Sequence, residues 1–78
     1  MTNQNDVLAI LEELAASLKD SAEQIEVKTA YDEGRLAGYY EALSTLISQC
    51  DISGISKDEI GLDGFSPESL FKSDKKAA

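Results

Sequence analysis

The chain has 78 residues, 42% of them hydrophobic, with a formal net charge of −8, one cysteine and no histidine. One cysteine rules out an intrachain disulfide, and the lack of histidine removes the commonest transition-metal ligand and any Ser/His/Asp or Cys/His catalytic set. The acidic balance also argues against nucleic acid and anionic membranes, both of which require a basic surface.

The charge is unevenly placed. Residues 1–70 hold 14 acidic and 4 basic side chains, whereas Lys72, Lys75 and Lys76 face only Asp74 in the last eight. Such a surface favours solubility or docking to a basic protein surface. A chain of this length forms one domain with a modest core, so oligomerisation is expected to support it. The start, MTNQND, lacks the positive region of a signal peptide. The longest apolar run covers only residues 7–11, far short of the ~18 a bilayer requires. A lone thiol and no export signal point to the reducing cytoplasm.

In chain order, residues 1–5 read as a disordered polar start. Asn3, Asn5 and Asp6 can all cap a helix beginning near residue 5 or 6. Val7, Leu11, Leu14, Leu18 and Ile25 then form a heptad-like seam, widened by Leu8, Ile10 and Ala15. Residues 27–33 admit two readings. In one, Thr29 caps a second helix with Asp32 as a capping-box partner, giving a helical hairpin. In the other, a single kinked helix runs to about residue 50, roughly 70 Å long. The apolar pattern resumes with Leu36, Tyr40, Leu43, Ile47 and Cys50, and Gly54 fits a left-handed stop.

Residues 55–72 are richer in Gly and Ser yet keep Ile55, Ile60, Leu62, Phe65, Leu70 and Phe71. They read as an ordered wrap over the helices. Within it, Ser56 with Glu59 can cap one short turn, and Ser66-Pro67 starts a short helix. Residues 73–78 read as a frayed tail.

The stretch 30–42, AYDEGRLAGYYEA, is the most distinctive. Ala30, Gly34, Gly38 and Ala42 recur every four residues and make one ridge that lets another helix come close. Internal or dimeric packing is its expected use. Tyr31, Tyr39 and Tyr40 beside it, with Leu36 and Leu43, complete the candidate interface. Tyr39 and Tyr40 point ~100° apart on a helix, so one is expected in the core and the other exposed. Asp20, Glu23, Glu26, Asp32 and Glu33 form the candidate acidic surface, which is a solvated face or, on a sharper reading, a mimic of DNA phosphates.

No catalytic, metal or cofactor site is expected. Cys50 lies on the apolar seam with no base to activate it. Read as a calcium loop from Asp51, the chain has Ile55, Ser56 and Leu62 where an EF-hand requires an oxygen, a glycine and a glutamate. No motif identifies a family, although the chain generally looks like the small acidic helical proteins of bacteria and phages. The sequence therefore predicts an all-α, cytoplasmic, non-enzymatic chain. It assembles as a helical-bundle homodimer or higher homo-oligomer and acts as a protein-binding adaptor or inhibitor. A DNA-mimicking or charge-blocking inhibitor, as phage anti-defence proteins can be, is the alternative.

Overall fold

The computed structural model describes residues 4–71 and is all-helical, with no strand among those residues. Helix α1 spans Gln4–Glu23, α2 spans Ala30–Ile52, and a short 3-10 turn covers Lys57–Ile60. A second 3-10 turn follows at 67–71. The expected disorder at the start does not extend to residues 4 and 5, which are helical. Residues 1–3 and the expected tail at 73–78 lie outside the described residues.

A single long helix is not formed, because residues 24–29 leave the helical path. Thr29 has extended backbone (φ −135°, ψ 170°) and starts α2. Its hydroxyl accepts from the Asp32 amide at 3.2 Å, and the Asp32 carboxylate accepts from the amides of Thr29 (3.2 Å) and Lys28 (3.1 Å). Three polar groups that would otherwise lack partners are thereby satisfied, which marks the boundary without Gly or Pro.

The arrangement is compatible with a helical hairpin. Ala22 lies beside Leu36, and Leu18 beside Gly38, Tyr39 and Ala42, so the two helices run in opposite directions. On α1 the fully buried residues are Ala15 and Ala22, seven apart; on α2 they are Leu36, Leu43 and Cys50, also at spacing seven. Large side chains of α2 thus meet small ones of α1.

The expected α1 seam is split by this geometry. Leu11, Leu18 and Ile25 are half-buried against the core, while Val7 and Leu14 are 41% and 46% exposed. Contact is centred on the alanine row because small side chains allow the closer helix approach. Val7 and Leu14 are rotated out to one side.

The segment after α2 supplies the remainder of the core: Ile60, Leu62, Phe65 and Leu70 are all buried in the same cluster. Gly54 (φ +83°) reverses the chain after α2, and Gly61 (φ +77°) ends the first 3-10 turn. At Gly61 a side chain would be strained by the backbone, and its Cβ would lie in contact with the Glu12 side chain of α1 at 3.4 Å. The Ser56 amide donates to the Glu59 carboxylate at 3.2 Å, fixing the start of that turn. Lys57 Nζ donates to the Phe65 carbonyl at 2.6 Å, and Lys19 lies 5.1 Å from the Phe65 ring centre.

Two outcomes follow from this packing. Leu43 is fully enclosed, so Leu43→Ala is expected to lower unfolding free energy by about 2–5 kcal/mol in urea titrations. The Asp32 carboxyl is held below the ordinary aspartate value of 3.8, chiefly by the Lys28 amide and also by Thr29. A depressed folded-state value stabilises the fold above the unfolded pKa, and the effect is lost as pH falls through the folded one. The stability gap between wild type and Asp32→Asn is therefore expected to close below about pH 4, as read by thermal melts across pH.

Candidate interaction face

A hairpin has two broad faces, and here they differ. On one, the C-terminal segment crosses both helices. It touches α1 at Glu12 and Lys19. It touches α2 at Tyr40, whose ring lies 5.2 Å from that of Phe71 and whose hydroxyl donates to Glu68 at 3.3 Å. Glu68 is held below the usual carboxylate range by the Ser66 hydroxyl, with Tyr40 adding to the effect.

The opposite face has no such cover among the described residues. Helical periodicity puts Val7, Ile10, Leu14 and Ser21 on that side of α1, and Arg35, Gly38, Tyr39, Ala42 and Leu46 on that side of α2. Val7, Ile10 and Leu14 are exposed, Ile10 at 63%. Between the helices lies an open hollow of about 360 Å³ lined by Leu18, Arg35, Gly38, Tyr39 and Ala42. At the loop end Ser21, Arg35 and Tyr39 share a second hollow with Glu26 and Asp32.

The predicted interface residues do not gather in one place. Leu36 and Leu43 are buried in the core, 5% and 0% exposed, and belong to the protomer itself. At its two glycines the small-residue ridge makes no close contact: a Cβ at Gly34 or Gly38 would meet nothing within 4 Å. A row at spacing four drifts around a helix by about 40° per step. The ridge therefore starts on the outer surface at Ala30 and Gly34, which are exposed, and reaches the open hollow only at Gly38 and the half-buried Ala42.

The tyrosines also differ from expectation. Neither Tyr39 nor Tyr40 is fully buried or fully exposed; each is half-buried, Tyr39 at the open hollow and Tyr40 under Phe71. The exposed one is Tyr31, with the Arg35 guanidinium 5.9 Å from its ring centre. The hydrophobic stripe at Val7, Ile10 and Leu14 was not singled out as a surface. The signal for it was present: those residues occupy spacings of three and four, one flank away from the alanine row.

The acidic residues Asp20, Glu23, Glu26 and Glu33 are exposed, and Asp32 is half-buried with its carboxylate engaged in the cap. Glu26 pairs with Lys28 at 3.4 Å in full solvent contact, a pair of little energetic weight. Among the described residues no group of three His, Cys, Asp or Glu side chains converges on a metal position. No helix there is long and apolar enough to cross a membrane. Comparison with protein-family models, curated proteins and solved structures finds no match to this chain.

Since Gly34 and Gly38 are helical with open space beyond their Cα atoms, Gly34→Ala and Gly38→Ala are each expected to raise stability by up to about 1 kcal/mol. Chemical denaturation checks this. A loss of stability at Gly34 would mean that its surface is covered within the protomer.

Proposed function

We propose that this chain is a non-enzymatic protein-binding adaptor or inhibitor that acts by occupying a partner surface, and that it works as a homo-oligomer. The observation that carries this reading is the uncovered hairpin face, where Val7, Ile10 and Leu14 stand exposed along one line. Leaving large apolar groups in water forgoes roughly 1.5–3 kcal/mol for each side chain that could be buried. A contiguous apolar stripe beside a groove is a recurrent form of protein-docking site. The C-terminal segment wraps the other face, so the two sides of the hairpin have separate tasks. A cytoplasmic setting belongs to the same reading, with Cys50 as a buried, free thiol.

The charge-blocking alternative is supported by a different observation, the exposed acids Asp20, Glu23 and Glu26 at the loop end of the hairpin. Salt separates the two readings. Immobilised full chain is expected to retain its captured partner as salt rises from about 0.1 to 0.5 M, because an uncharged contact is not screened. Ile10→Glu is expected to abolish capture. Capture that survives Ile10→Glu but is lost with salt, or with Glu23→Lys and Glu26→Lys, would replace the docking reading by charge mimicry.

A further inference from the structure

We infer that the loop end of the hairpin holds an anchor site for one arginine side chain of a partner protein, in the hollow between the end of α1, Leu36 and the last 3-10 turn. The site lies off the open face, and the inference does not rest on what docks there.

The hollow measures about 390 Å³, at the lower end of the range for pockets that take a defined ligand group. Its floor belongs to the core: Ala22, Leu36 and Leu70 line it and are buried. Ile25 and Val27, both half-buried, form its walls. They belong to the segment that the Thr29–Asp32 exchange holds out of the helix, so the break between the helices also shapes the hollow. Two exposed carboxylates, Glu23 and Glu26, stand at its rim.

Charge selects the occupant. Three other hollows that contain carboxylates each contain a cation as well: Lys57 beside Asp51 and Glu68, Lys19 beside Glu13 and Asp20, and Arg35 beside Asp32. No Lys or Arg lines this one. Glu23 and Glu26 also border two of those neighbours, but the cations there are engaged elsewhere. Lys19 lies over the Phe65 ring and Arg35 over the Tyr31 ring. Glu23 has no ion-pair partner among the described residues. Glu26 has Lys28 at 3.4 Å, with both side chains exposed, a pair weak enough to be exchanged. The missing countercharge therefore comes from outside.

Shape narrows the cation to arginine. An apolar floor below two carboxylates suits a long aliphatic stem that carries its charge at the tip. A guanidinium is planar and weakly hydrated, and its fork of donors can serve two carboxylates at once. An ammonium is a compact, strongly hydrated charge that gains less from such a floor. Arginine is also among the residues that most often dominate protein interfaces. The chain's own Lys72, Lys75 and Lys76 follow soon after Leu70 and are the competing source of positive charge.

NMR titration of the isotope-labelled full chain with the peptide acetyl-Gly-Ala-Arg-Ala-Gly-amide tests this. Saturable shifts are expected at the amides of Ala22, Val27, Leu36 and Leu70, with a dissociation constant on the order of 1 mM for one anchoring side chain. The lysine counterpart is expected to bind about three-fold or more weakly, and the uncharged citrulline counterpart not to saturate. Glu23→Gln with Glu26→Gln is expected to weaken the arginine peptide about ten-fold. Glu41→Gln, at an exposed carboxylate away from this hollow, is the control and should leave binding unchanged.

Shifts spread over the exposed acids with Leu36 and Leu70 unmoved overturn the inference. So does equal binding of the lysine and arginine peptides, or binding indifferent to Glu23→Gln with Glu26→Gln. A chain carrying Lys72→Gln, Lys75→Gln and Lys76→Gln overturns it too if its Ala22, Leu36 and Leu70 amides move without any peptide, because the chain then fills the hollow itself. Ile10 does not line this hollow, so failure of the open-face reading leaves the peptide titration unchanged.

Discussion

Two helices laid side by side leave two grooves open to water, and a small chain has few apolar side chains beyond the helices with which to close them. Here Ile60, Leu62, Phe65 and Leu70 close one groove. The close approach of the helices makes this possible, because Ala15 and Ala22 let α1 settle against Leu36, Leu43 and Cys50. The same approach turns Val7 and Leu14 outward. The exposed stripe therefore follows from how the core is packed.

The connection between the helices shows how little sequence is needed to end one. Thr29 and Asp32 satisfy each other's backbone partners, and that exchange competes successfully with continued helix. The two glycines of α2 do not mark the turn. They lie within the helix, and their side of it has no neighbour within 4 Å of where a Cβ would be.

Much of the helical content was legible in the sequence, including the left-handed Gly54 and the turn started by Ser56 and Glu59, whereas at Thr29 the sequence offered a cap without deciding between a boundary and a continuous helix. What periodicity could not supply was the phase of contact. A seam read from Val7, Leu11, Leu14 and Leu18 weights large side chains, whereas close packing is decided by where the small ones are. Alanine is too weak a hydrophobic signal to reveal that Ala15 and Ala22 lie at the centre. The candidate interface was affected in the same way. Leu36 and Leu43 were too apolar to be left outside, and the ridge at spacing four does not stay on one face of a 3.6-residue helix. The aromatic contacts were beyond reach for another reason: the position of Tyr40 depends on Phe71, more than thirty residues later.

The resulting molecule separates its chemistry by surface. One groove is filled from within, and the other side is open, with Val7, Ile10 and Leu14 exposed along it and Glu26, Asp32 and Arg35 at its loop end. Residue-resolved carbene or hydroxyl-radical footprinting of the full chain, followed from low to high concentration, tests this arrangement most directly. The account predicts that Ile60, Leu62 and Leu70 stay protected throughout and Ile52 stays labelled throughout, while Val7, Ile10 and Leu14 pass from labelled to protected as concentration rises. Labelling of Ile60 and Leu62 to the level of Ile52, or of Ile10 and Leu14 at every concentration, would contradict it.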